Sequence, residues 1–143
     1  MEIDKIEMHG VLPRVFSGRN DMKSEIWNRE VTMERGRSYL VSAESGTGKS
    51  SLCSYLYGFR NDYSGRITFS NTDIATLNIM QWCELRSRHI AYLPQEMRLF
   101  PELTAMENVE LKNRLTRFHS TGNIKQMFDR LGIADKSNQP VAQ

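Results

Sequence analysis

The sequence predicts an α/β fold, and three observations carry that expectation. The apolar run Tyr39-Leu40-Val41 leads into Ser42-Ala43-Glu44-Ser45-Gly46-Thr47-Gly48-Lys49-Ser50-Ser51, and Leu52-Cys53-Ser54-Tyr55-Leu56 can continue as a helix. Strand, glycine-rich turn and helix in that order make a phosphate-binding loop. Ile90 to Leu93 is apolar at successive positions rather than alternating ones, the pattern of a strand buried on both faces. Beyond Pro101 the apolar residues recur at helical spacing.

Taken in order, residues 1–41 read as strands and turns. Ile3 to Met8 and Glu30 to Met33 alternate loosely, Pro13 and the polar stretch Ser17 to Ser24 form a loop, and Gly36 marks a turn before the Tyr39 strand. In the next segment Gly46 and Gly48 let the backbone wrap closely around an anion. Successive N–H groups and the positive end of the new helix then point at phosphate oxygens. Lys49 adds a mobile charge for the β- and γ-phosphates of a nucleotide, and the Ser50 hydroxyl suits a Mg²⁺ ligand. Ala43 stands where the G-x-x-x-x-G-K-[ST] pattern has its first glycine, and alanine fits if its φ is negative. The bland alternative is a chance Gly-Thr-Gly-Lys-Ser surface turn; the strand before and the helix after weigh against it.

Residues 50–59 are expected to form the helix that carries this site, stopping near Gly58. Ile67 to Ser70 reads as a short strand, and Asp73 to Leu85 as a turn with one short helix containing Trp82. Thr104-Ala105-Met106-Glu107 is a capping box. Leu111, Leu115 and Phe118 follow at i, i+4, i+7, and Ile124, Met127, Phe128 and Leu131 at i, i+3, i+4, i+7, with Gly132 a natural stop. Met106, Met127 and Phe128 are read as packing residues.

With 143 residues, the chain suits one domain with a usable core. A net charge of +2 from scattered basic residues gives no footprint for nucleic acid. Arg86 and Arg88 bracket one short basic patch, which a solvated approach to the Ile90 strand explains equally well. No apolar run approaches the ~20 residues of a membrane span, and the N-terminus has no signal-peptide core. Cys53 and Cys83 lack metal-ligand spacing and read as reduced, incidental thiols.

Two further motifs carry a family resemblance. Arg86-Ser87-Arg88-His89-Ile90-Ala91-Tyr92-Leu93-Pro94-Gln95 runs basic, then apolar, and stops at Pro-Gln; Leu-Phe-Pro-Glu-Leu-Thr-Ala-Met-Glu-Asn-Val follows at residues 99–109. This resembles the Q-loop region of ATP-binding cassette (ABC) ATPases. There a strand ends in a glutamine and an LFP-x-LT-x-x-EN-V segment opens a helix. Ser64-Gly65-Arg66-Ile67 matches the SG-x-I turn and strand that the family places between its two motifs, and the interval from Lys49 to Gln95 is typical of it.

The resemblance covers nearly the whole chain and implies a P-loop NTPase fold in three parts. An antiparallel β-subdomain and the strand into the loop take 1–41, the core from P-loop to Q-loop takes 42–100, and the start of a helical subdomain takes 101–143. It implies that ATP lies on Ala43, Glu44, Ser45, Gly46, Thr47, Gly48, Lys49, Ser50 and Ser51. Mg²⁺ would be held by Ser50 with help from Gln95, and Gln95 and Lys49 would act at the γ-phosphate. Phe16 is the candidate for stacking on adenine; a phenylalanine of a small core is its other reading. Two ATP-binding subunits, alike or different, would close head to tail. They would drive transmembrane subunits docked near Gln95 and the helices after Pro101. The protein would then be cytoplasmic, held at the inner face of the membrane through its partners.

A signature motif, a Walker B strand ending in Asp-Glu and a switch histidine are not found before Gln143. The sequence therefore reads as the N-terminal part of an ABC transporter ATP-binding protein, truncated before the signature motif. As such it is expected to bind nucleotide without turning it over efficiently alone. The alternatives are a soluble ABC-type ATPase of translation or DNA repair, and a short, catalytically incomplete nucleotide-binding protein. A small P-loop kinase would leave Pro94-Gln95 unexplained.

Overall fold

A computed structural model describes residues 2–19, 23–96 and 98–141, so part of the Ser17–Ser24 loop lies outside the described residues. The chain forms two compact units, Met1–Tyr92 and Leu93–Gln143.

The first unit is built on a four-stranded antiparallel sheet. β1 (Lys5–Pro13) lies between β2 (Glu30–Glu34) and β3 (Tyr63–Phe69), and β4 (Thr72–Asp73) continues from β3, giving the order β2-β1-β3-β4. Met8 pairs with Val31 on one side and Ile67 on the other. Between His9 and Leu12 the β1–β3 register slips by one residue. Because side chains alternate faces with period two, this bulge changes which residues point inward. Met8, Val11 and Pro13 are the buried positions, where strict alternation from Met8 would bury Leu12. Met8, Val11, Ile67 and Phe69 from the sheet pack with Leu52 and Tyr55 of α1 (Lys49–Leu56) and Leu85 of α2 (Ile79–Arg88). Phe16 and Trp27 complete this core from the connecting segments.

α1 stops where expected. Gly58 takes φ +71°, and its missing Cβ would stand 2.7 Å from the Trp82 ring, so both conformation and space select glycine. The carbonyls left at this end of α1 are met by α2. Arg86 donates from Nε to Tyr57 O (3.1 Å) and from Nη2 to Gly58 O (3.0 Å), its guanidinium 5.2–5.5 Å from the rings of Tyr57, Phe59 and Trp82. Arg86 and Arg88 thus lie in the last turn of a helix, not on the approach to a strand.

Neither the strand expected before the loop nor the buried strand expected at Ile90 is formed. Tyr39–Val41 and Ile90–Leu93 have no regular secondary structure, and Leu40 and Leu93 are each 94% exposed. A strand exists only with a neighbour to take its N–H and C=O groups. Among the described residues the one sheet is antiparallel and contains neither segment. Tyr39 instead turns its hydroxyl to accept from the Glu34 N–H at 2.8 Å. The strand expected over Ile67–Ser70 is longer and earlier, as β3.

The second unit holds α3 (Ala105–Thr116) and α4 (Thr121–Arg130). α3 opens with the predicted box: Thr104 Oγ1 accepts from the Glu107 N–H and the Glu107 carboxylate accepts from the Thr104 N–H. The Met106 N–H donates to Ser137 O (2.9 Å) and the Val141 N–H to Leu103 O (3.2 Å), tying the last described residues to the start of α3. Ile124 and Phe128 are buried, Met106 is half-buried and Met127 is 40% exposed. The Leu111, Leu115, Phe118 series is exposed, so its helical spacing does not mark a covered face among the described residues.

Candidate functional site

The site is built where the chain passes from Ser42 into α1. Gly46 and Gly48 take φ +80° and +97°, and Gly48 is the N-cap of α1 in the left-handed conformation. Ala43 is not among the residues with positive φ, so it replaces the pattern's first glycine without strain. No side chain caps α1, and its first turn holds no acid. Lys49 folds back over the loop, Nζ donating to Ala43 O (2.5 Å) and Glu44 O (2.7 Å), and Thr47 Oγ1 donates to Glu44 O (2.7 Å). Two carbonyls thus hold an ammonium beside the positive end of a helix, a place that disfavours a cation and favours an anion.

The predicted residues fall into groups. Glu44, Ser45, Gly46, Lys49 and Ser50 are exposed along the loop, while Thr47, Gly48 and Ser51 are half-buried. Ser51 Oγ accepts from Arg60 Nη1 at 3.0 Å. Phe16 is 5% exposed, with the Arg19 guanidinium 5.4 Å from its ring centre. Gln95 is exposed and belongs to the second unit.

Trp27 went unremarked in the sequence. It is 7% exposed, meets Tyr55 edge-on at 6.3 Å, and donates from Nε1 to Thr47 O at 2.8 Å. The signal that could have found it is the apolar pair Ile26-Trp27 set between the polar residues Ser24-Glu25 and Asn28-Arg29, where a large ring must find burial elsewhere. Trp27, Val41, Glu44, Thr47, Lys49 and Leu52 are among the residues that line a cavity of about 500 Å³ beside the loop. Among the described residues no three His, Cys, Asp or Glu side chains gather as a metal cluster. A Mg²⁺ here would have to share Ser50 with oxygens of its nucleotide and with water, which is the usual habit of that ion.

The sequence pattern of the family described as ABC transporter matches residues 27–143. The chain belongs to the ABC transporter family. It is 28% identical over 141 residues to the ABC transporter ATP-binding protein YbbA of Escherichia coli K12, covering 96% of this chain and 61% of that one. It is 28% identical to the macrolide export ATP-binding/permease protein MacB 2 of Aeromonas hydrophila, covering 96% of this chain and 22% of that protein. Against the lipoprotein-releasing system ATP-binding protein LolD of Legionella pneumophila it is 35% identical over 117 residues, 80% of this chain and 52% of the relative. The chain therefore spans about three fifths or less of these ABC relatives. No helix among its described residues is long and apolar enough to cross a membrane.

Proposed function

We propose that this chain is the ATP-binding part of an ABC transporter, with a P-loop NTPase fold divided at residues 1–41, 42–100 and 101–143. The observation that carries the reading is the start of α1. Two left-handed glycines, an uncapped helix N-terminus and a lysine folded across the loop together make a cradle for a polyphosphate. Relatives named as ATP-binding proteins support ATP as the nucleotide.

In this reading the N–H groups of residues 44–50 bind the phosphates. Lys49 exchanges its two carbonyl partners for β- and γ-phosphate oxygens, and Ser50 would hold Mg²⁺. Phe16 is buried in the core of the first unit, so adenine would reach its ring only by displacing the Arg19 guanidinium that now lies over it. Bound Mg²⁺ supplies charge neutralisation between the phosphates, and the residues of this chain supply position. A second ATP-binding subunit and transmembrane subunits are the proposed partners, which would hold the protein at the cytoplasmic face of a membrane.

Titration with a fluorescent ATP analogue tests the site. Lys49→Ala removes a charge-assisted hydrogen bond worth roughly 1.5–3 kcal/mol, so affinity should fall about 10- to 150-fold. Equal affinity in the two proteins would remove the loop from the site.

A further inference from the structure

Trp27 touches the phosphate loop at the peptide between Thr47 and Gly48. Its Nε1–H donates to Thr47 O at 2.8 Å, and its ring edge lies 3.0 Å from where a Gly48 Cβ would stand. The peptide between Thr47 and Gly48 is trans, since there are no cis bonds among the described residues. In a trans peptide the C=O and the following N–H point in opposite directions. Holding Thr47 O toward the indole therefore turns the Gly48 N–H away from Trp27. That N–H has no hydrogen-bond partner among the described residues. The indole itself cannot drift, because it is 7% exposed and packed edge-on against Tyr55 of α1.

We infer that Trp27 is a positioning residue of the phosphate loop, its indole N–H setting the Thr47–Gly48 peptide so that the Gly48 N–H faces the phosphates. The inference rests on the proposed nucleotide site and adds to it a residue twenty positions upstream, outside the glycine-lysine motif. Trp27 acts through the backbone it holds and touches no base.

Phenylalanine keeps the ring and removes the donor. Calorimetric titration of the full chain with ATP, and separately with inorganic tripolyphosphate, reads phosphate binding with and without a nucleoside. Trp27→Phe should weaken both ligands by the same factor, about 3- to 10-fold, the size of one neutral hydrogen bond. Loss for ATP alone would place Trp27 at the nucleoside and overturn the inference. Unchanged affinities, with or without a lower unliganded melting temperature, would also overturn it, since that is the mark of packing only. If wild type binds neither ligand, the nucleotide site itself fails and the inference falls with it.

Should Trp27→Phe not fold, Trp82→Phe leaves Trp27 as the sole tryptophan of the chain's two. Its emission should then change with tripolyphosphate at the midpoint of calorimetric binding. Binding without an emission change would overturn the inference.

Discussion

Helix α3 begins with its first-turn amides met by its own residues, Thr104 Oγ1 accepting from the Glu107 N–H at 3.1 Å and the Glu107 carboxylate accepting from the Thr104 N–H at 2.8 Å. Helix α1, by contrast, begins at Gly48 with no side-chain cap. Asn78 and Gln81 form the same reciprocal pair at α2, and Ser120 Oγ accepts from the Asn123 N–H at α4, so α1 is the exception among the described helices. The exception goes beyond a missing cap. α1 carries a cation, Lys49, as its first residue, the reverse of what the helix dipole favours. The comparison teaches that three helix starts are capped by their own residues, while the fourth is left open, as the proposed phosphate site requires.

The largest effect should come from disturbing the backbone that keeps α1 open. Gly48→Ala places a Cβ at φ +97°, 3.0–3.1 Å from buried atoms of Trp27 and Phe16. Strain and overpacking together should cost about 2–4 kcal/mol, and tripolyphosphate affinity should fall at least roughly tenfold. Thermal unfolding and calorimetry measure the two. A variant that matched wild type in both would show that the left-handed start of α1 is dispensable.

Breaking the closed start should do less, and do it elsewhere. Thr104→Ala removes the hydroxyl that accepts from Glu107, a loss of about 1 kcal/mol for an N-cap. Amide exchange in α3 should speed up about fivefold. Tripolyphosphate affinity should stay as it was. A parallel fall in affinity would mean that the two helix starts are not independent.

What could be read from the sequence divides along the same line. α1 with its glycine stop at Gly58, the Thr104–Glu107 box and the stop at Gly132 are local, each set by residues within a turn of one another. Trp27 on Thr47 and Arg86 on Tyr57 and Gly58 join residues 20 or more apart, and residue type alone does not reveal such pairs. The Tyr39 and Ile90 runs were legible as apolar but not as strands, since a strand's state depends on a neighbour that its own residues do not specify. The Leu111, Leu115, Phe118 spacing was likewise true as a pattern, while its covering lay beyond what periodicity can show.

The smallest effect should separate the two starts by pH. The Thr104 backbone N–H donates to the Glu107 carboxylate, with the Thr104 side chain as a lesser contribution, and holds this acid below its ordinary value of 4.5. A carboxylate whose folded value is depressed stabilises fully above the unfolded value, and that contribution is lost as pH falls through the folded one. The closed start of α3 should therefore loosen below about pH 4.5. Thr104 amide protection, corrected for intrinsic exchange, should fall over that range in wild type. It should stay flat in Glu107→Gln, whose amide oxygen accepts the same hydrogen bond at every pH. Glu107 is fully exposed, so the change should be slight beside that of Gly48→Ala. An equally flat wild-type profile would show that the carboxylate charge adds nothing to the cap, leaving the Thr104 hydroxyl as its working part.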